Sequence, residues 1–371
     1  MKLKIGITRR EYLTNLDGVN RFLFTLSDGL RLLGHDVSII SYSFKDCAYS
    51  NLACTLKSVF NVEYPQKIYS LTAAPQPESW PKIAMAWYSR GSNLIKKLDL
   101  DALIINGVVP LKTKAKKIAV NHGIQTGIFP KLKGFKRLLY LQSAKYLYKY
   151  NADSIVCVSS QLREEVQNLF GVEATFIPLP IKCHLFKACS ERSNLILHIG
   201  TRRRKNVEIS IKALKILVER MNVKAHLVVL GPRNAYVEQL LNKYAKLIPK
   251  YLTFLFDVDT GTVAKYLGRG KVLILPSMYE AFSYAVLEAF ASGLPVVVST
   301  AIPEGVVKDG VNGFRISGFE PADYAKKISI LLKNEDLWAK MSRSAQKEAE
   351  KHSYIAIAKQ YERIIRMLNT N

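Results

Sequence analysis

Residues 272–298 read VLILPSMYEAFSYAVLEAFASGLPVVV. An apolar run, Val272 to Leu275, stops at Pro276-Ser277; a helical pattern starts near Ser283 and ends before Gly293-Leu294-Pro295; a second apolar run, Val296 to Val298, follows. Short runs without polar alternation suit parallel strands covered on both faces, and glycine followed by proline is a helix stop. The stretch therefore reads as strand, loop, helix and strand. Its loop lies at the carboxyl end of a parallel strand, where open α/β sheets bind ligands.

The same plan extends outward. Leu195 to Ile199, Ala225 to Leu230 and Leu252 to Phe256 are further strands, separated by helical segments such as Val207 to Met221. In the first half, residues 2 to 42 read as one βαβ unit whose helix begins at Asp17-Gly18 and is closed by Gly34, with later strands at 102–105, 118–120 and 155–158. A chain of 371 residues exceeds what one core usually serves. Pro178-Leu179-Pro180 interrupts helix and sheet alike, which puts a hinge near residues 178–190. The expected architecture is α/β: a Rossmann-like domain over 1–182, a second over 183–353, and a final helix, 354–371, returning to the first.

Composition narrows the function classes. The chain is 49% hydrophobic and 10% aromatic, which suits a packed enzyme. Its first ten residues read as a buried strand rather than a signal sequence, and no window approaches a membrane span; the expected place is the cytoplasm. The five cysteines, Cys47, Cys54, Cys157, Cys183 and Cys189, lack zinc-site spacing and read as reduced bystanders, Cys157 as a core residue. The net charge of +24 divides evenly, +12 on either side of residue 182, yet Ala102 to Ala152 has ten basic residues and no acidic one. Such a face attracts polyanions. No helix-turn-helix, zinc knuckle or aromatic RNA-binding signature accompanies the charge, so nucleic acid is set aside.

The amides of Phe282, Ser283 and Tyr284 at the helix start offer a diphosphate site. Glu288, a turn further on, repels phosphate but suits sugar hydroxyls, so a carbohydrate carrying a diphosphate reconciles the two. Glu280, seven intervening residues, Glu288, Ala289, Gly293 and Pro295 together resemble the donor-site signature of glycosyltransferase family 4. An isolated glutamate pair at this spacing is usually helix surface; the flanking Pro276, Phe282, Gly293 and Pro295 argue against that. The resemblance implies the GT-B fold, two Rossmann-like domains facing each other across a cleft, with Glu280 on the transferred sugar and Glu288 on the nucleotide ribose. Ser283 departs from the family's usual glycine.

Gly200-Thr201-Arg202-Arg203-Arg204-Lys205-Asn206, between a strand and a helix, resembles the family's basic loop. An isolated basic cluster is most often a solvated turn, but this one follows a strand. By resemblance Arg202 and Lys205 hold the donor diphosphate and offset charge on the leaving group; the three adjacent arginines leave the arginine's register open. Gly231-Pro232 and Asp309 to Phe314 also resemble family loops. In the first half, Gly18 stands where the family keeps a glycine near donor phosphate, Asp17 reads as a helix cap or an acceptor contact, and His122 carries over the family's histidine facing the sugar. Ser159-Ser160 reads as a cap or an acceptor contact.

Residues 131–150 mix Lys131, Lys133, Lys136, Arg137, Lys145 and Lys149 with apolar and tyrosine residues. They read either as a face for anionic lipid or as a buried helix with snorkelling lysines. Asp257-Val258-Asp259 imitates a metal-binding motif by chance, and Gly268-Arg269-Gly270-Lys271 is no phosphate loop because Val272 follows. The expected activity is a hexosyltransferase moving a sugar from a UDP- or GDP-sugar to a glycan or lipid-linked acceptor, with retention, without metal or other cofactor, and with a peripheral membrane position open. An epimerase or phosphorylase on the same fold, or a non-catalytic binding protein, are the alternatives.

Overall fold

Strand pairing is parallel throughout the computed structural model, which describes residues 1–13, 17–43, 60–64, 66–72, 80–107, 109–123 and 134–370. Cys47, Cys54, Lys131 and Lys133 lie outside the described residues, as do the side chains of Lys136 and Arg137. In the first half, β1 (Lys4–Tyr12), β2 (Asp36–Ser43), β3 (Lys67–Thr72), β4 (Ala102–Asn106), β5 (Lys116–Asn121), β6 (Ser154–Cys157) and β7 (Thr175–Phe176) form one sheet ordered β3-β2-β1-β4-β5-β6-β7. Every residue of β4 is buried, as its unbroken apolar run requires. Edge strand β3 escapes a sequence reading because its residues are mostly half-buried and mixed in polarity.

The helices of this half are α1 (Gly18–Leu32), α2 (Trp80–Ala86), α3 (Ser92–Leu98), α4 (Gly134–Lys145) and α5 (Ser160–Phe170). A π-helical turn, Trp87–Gly91, joins α2 to α3, and another, Tyr146–Asn151, extends α4. Asp17 caps α1 by accepting from the Asn20 amide at 2.9 Å, and Ser159 caps α5 by accepting from that of Leu162. Gly34 closes the turn after α1 at φ +89°, a conformation that favours glycine.

In the second half, β8 (Leu195–Ile199), β9 (His226–Gly231), β10 (Leu252–Phe256), β11 (Val272–Leu275), β12 (Val296–Ser299) and β13 (Gly313–Ile316) are ordered β10-β9-β8-β11-β12-β13. Around them run α6 (Val207–Glu219), α7 (Ala235–Lys243), α8 (Thr260–Arg269), α9 (Tyr284–Ala291), α10 (Pro321–Lys333) and α11 (Glu335–Lys351). Asp309 to Phe314, read as a loop, runs into β13: Gly313 and Phe314 pair with Val296 and Val297, so close that a Cβ on Gly313 would collide with the Val296 carbonyl oxygen.

The chain divides into two units, Met1–Pro180 with Tyr354–Asn371, and Ile181–Ser353. The boundary thus falls after Pro180 rather than residue 182. α12 (Tyr354–Thr370) belongs to the first unit and packs on α1. Gly29 makes that approach possible, since a Cβ there would sit 2.6 Å from the Tyr354 carbonyl oxygen. Phe22, Tyr361, Ile357 and Ile365 are fully buried, each worth about 1.5–3 kcal/mol relative to exposure.

Candidate functional site

In the second sheet β8 is the first strand in sequence, with β9 on one side and β11 on the other, so the strand order reverses between β8 and β11. Loops following both strands open on that crevice, the usual ligand position of such sheets. The Gly200–Asn206 loop includes a 3₁₀ turn, Arg203–Lys205, and leads into α6. The Met278 amide donates to the Arg204 carbonyl oxygen at 2.8 Å, which ties this loop to the one after β11.

The tie brings two predicted residues together. Lys205 Nζ lies 2.5 Å from Glu280 Oε1, with 14% and 4% of the two side chains exposed. Ser277 Oγ donates to the same carboxylate oxygen at 3.1 Å. Gly200, at φ +104°, lets the lysine lie back across the turn: a Cβ would come within 3.1 Å of Lys205 Cγ. The three arginines are all exposed, and Arg203 sits over the Tyr236 ring at 5.2 Å. The register of the arginine stays open among the three.

His198 escaped the sequence reading. Buried in β8, it contacts the Gly200 carbonyl oxygen through Nε2 at 2.9 Å and Ser210 Oγ through Nδ1 at 2.8 Å. A carbonyl only accepts, so Nε2 carries the proton and Nδ1 accepts from the hydroxyl. Burial and the nearby Lys205 charge push its pKa down to about 3. The neutral ring thus anchors both the turn and α6. A histidine inside an apolar strand was the available signal. Gly231 is needed for contact, since a Cβ would meet Thr201 Cγ2 at 2.9 Å; Thr201 Oγ1 in turn donates to the Pro232 carbonyl oxygen at 2.5 Å.

α9 begins at Tyr284, one residue after the expected start, and its first-turn amides have no partner within the helix by geometry alone. Phe282, Ser283 and Glu288 are all buried. Ser283 occupies the cap position without making a capping bond, and its hydroxyl is buried without a hydrogen-bond partner. Asp259 has a local role: it caps α8 by accepting from the Thr262 amide at 2.7 Å.

In the first unit β1 is likewise flanked by β2 and β4. Asn106, ending β4, donates through Nδ2 to the Thr8 carbonyl oxygen at 3.0 Å, so its Oδ1 faces His122 Nε2 at 2.8 Å. The amide oxygen only accepts; Nε2 of His122 carries the hydrogen and Nδ1 the lone pair. The ring packs edge-on against Phe22 at 4.6 Å. Burial, with the Arg9 cation nearby, pushes its pKa down to about 3. Asp17 is held at 2.6 Å by Arg9 Nη2 while capping α1, as the cap reading expects, and Gly18 is exposed beside it.

The helix read as buried or lipid-facing is one-sided. Ala144, Leu147 and Tyr148 are buried, whereas Leu138, Leu139, Lys145, Tyr146, Lys149 and Tyr150 face solvent. No described helix is long and apolar enough to cross a membrane. Cys157, Cys183 and Cys189 are free thiols, Cys157 buried and pushed up to about 12 by that burial.

The two parallel sheets and their switch points are those of the GT-B fold. The model of glycosyl transferases group 1 matches residues 186–348 and that of glycosyltransferase family 4 matches residues 16–184. The chain belongs to the family 4 type of glycosyltransferase. An uncharacterized glycosyltransferase of Methanocaldococcus jannaschii is 27% identical over 242 residues, 59% of this chain and 61% of its own length. The chain thus matches less than two thirds of that relative. Sucrose-phosphate synthase of Thermosynechococcus elongatus superposes with a TM-score of 0.81 at 16% identity, covering 99% of both chains. HepE of Anabaena, in complex with UDP and glucose, does so with a TM-score of 0.74 at 16% identity, covering 98% of this chain and 99% of its own.

Proposed function

We propose that this chain moves a sugar from a UDP- or GDP-sugar to a glycan or lipid-linked acceptor, with retention at the anomeric carbon and without metal or other cofactor. The buried pair of Lys205 and Glu280 at the β8 and β11 loop ends carries the reading. A diphosphate drawn to the Lys205 ammonium competes with Glu280 and releases its carboxylate to accept from sugar hydroxyls. Lys205 and Arg202 offset charge on the departing diphosphate; Phe282, Ser283, Tyr284 and Gly231 line the donor, and Glu288 accepts from the ribose. His122 and Gly18 serve from the first unit.

The bond between the anomeric carbon and the diphosphate oxygen breaks, the acceptor oxygen bonds that carbon, and the acceptor proton passes to the departing phosphate. The products are the glycoside and the nucleoside diphosphate. Asp17, the carboxylate nearest Gly18, is committed to Arg9 and to capping, which supports a role for the donor phosphate as base. A glycan bound through hydroxyls and a donor complex such as that of HepE are consistent with the same chemistry.

The test is sugar incorporation from radiolabelled UDP- and GDP-sugars; unchanged incorporation by Glu280→Ala and Lys205→Ala removes the roles given to both. The exposed tyrosines, leucines and lysines of 138–150 support a cytoplasmic enzyme resting on an anionic membrane. Flotation with anionic liposomes at low salt decides that part: a protein remaining at the bottom rejects it.

A further inference from the structure

The chain passes between its two units twice, after Pro180 and after Ser353. Within the second unit the two crossings are pinned together. The Ile181 amide donates to the His352 carbonyl oxygen at 2.8 Å, and Ile181 forms a bridge with Ser353. Cys183 Sγ donates to the Ala349 carbonyl oxygen at 3.4 Å. His352, which closes α11, is therefore the residue whose backbone receives the incoming crossing.

Its side chain points to a different task. The imidazole is 3% exposed, and its centroid lies 5.7 Å from that of Phe282, with the planes 57° apart. That separation falls within the roughly 4.5–7 Å of attractive aromatic pairs. Nε2 is 3.8 Å from Glu348 Oε1, longer than a hydrogen bond, and Nδ1 is buried without a partner. Glu348 meets Lys351 through its other oxygen, Oε2, at 2.8 Å, and the His352 ring comes first among the influences that hold its carboxyl down to about 2. The His352 ring thus has two oriented neighbours, Glu348 through Nε2 and the Phe282 ring.

Phe282 stands between Glu280 and the start of α9. The far end of α9 is held by the same partner helix: Ser342 Oγ donates to the Gly293 carbonyl oxygen at 2.7 Å. Gly293, at φ +69°, admits this approach, since a Cβ would meet Ser342 Oγ at 2.9 Å. α11 therefore splints α9 at both ends, with a hydrogen bond at Gly293 and a ring contact at Phe282. The ring contact alone is shared with the residue that pins the crossings.

We propose that His352 is a positioning residue for the donor site, its ring setting Phe282 and thereby the loop that carries Glu280 and Ser283. The inference rests on the proposed donor role of that loop. His352 touches no reacting atom. It transmits the geometry of the pinned crossings to a loop whose placement decides whether a nucleoside diphosphate is gripped, where errors of about 1 Å are costly.

The test compares three variants of the full chain by titration with UDP and GDP, by donor KM with a radiolabelled UDP- or GDP-sugar, and by thermal melting. His352→Ala removes the ring and is expected to weaken nucleotide binding and raise donor KM about 5- to 20-fold, leaving acceptor KM unchanged. His352→Phe keeps an aromatic ring and is expected to restore donor KM to within about two-fold of the parent chain, whereas His352→Gln, of similar size without a ring, is not. A merely structural residue would lower the melting temperature without this split. Donor KM unchanged in His352→Ala overturns the inference, as does His352→Phe impaired like His352→Gln. Should His352→Ala fail to fold, the Phe and Gln variants decide between them. If the parent chain binds neither nucleotide and transfers no sugar, the donor reading itself fails, and this inference with it.

Discussion

Lys205 Nζ approaches Glu280 Oε1 to 2.5 Å in a setting where neither side chain has much contact with water. Removing one partner of such a pair strands the other, which typically costs about 3–5 kcal/mol. Lys205→Ala is expected to lose that order of stability along with its activity. Lys205→Ala combined with Glu280→Gln is expected to recover most of the stability and none of the activity. Urea midpoints beside transfer rates separate the two effects; equal stability in the single and double variants would disprove the coupling.

Ser283 buries a hydroxyl without a partner, a defect worth about 1–3 kcal/mol. Ser283→Ala is expected to melt at the same or a higher temperature than the parent chain. If the hydroxyl is kept for the donor, the same variant shows a higher donor KM. Calorimetry and initial rates on one preparation test both halves.

His122 and His198 both stay neutral down to about pH 3 in the folded chain. Their unfolded counterparts take up protons near pH 6.5, so stability is retained above that value and declines as pH falls from about 6.5 to 3, by about 1.4 kcal/mol per pH unit for a fully buried group such as His198. Urea midpoints at pH 7 and pH 5 should differ accordingly. A chain equally stable at both would contradict the buried neutral state.

The Asn106 amide oxygen facing His122 offers a sharper probe. A carboxylate there favours the imidazolium. Asn106→Asp is expected to raise the pKa of His122 and introduce an inflection between pH 5 and 7 into an activity profile that is otherwise free of His122 titration. Proton NMR of the ring, alongside rates, identifies the group responsible.

Gly29 lies against the Tyr354 backbone. Gly29→Val is expected to force α12 away from α1 at a cost of about 1–3 kcal/mol or more. Limited proteolysis should then clip the chain after residue 353 faster than in the parent.

The sheet plan and the Glu280 loop were legible in the sequence because parallel strands buried on both faces leave unbroken apolar runs, and because Pro276, Gly293 and Pro295 mark the loop and helix ends. Edge strands β3 and β7 left no such run: β3 is half-buried and β7 is two exposed residues. The engagement of Arg203 with Tyr236 depends on a residue 33 positions away, and the supports given by His198 and His352 depend on packing partners in other elements. Periodicity carries no trace of such contacts. It records which residues are buried, not which of them touch.

The return of α12 to the first unit has a consequence for synthesis. Ile181–Ser353 is a continuous segment, whereas the first unit needs residues from both ends of the chain. During translation, the unit encoded second is the one completed first. Phe22 of α1 meets Tyr361 only after the last helix has emerged, so the amino-terminal sheet spends nearly the whole of elongation with one side of α1 uncovered.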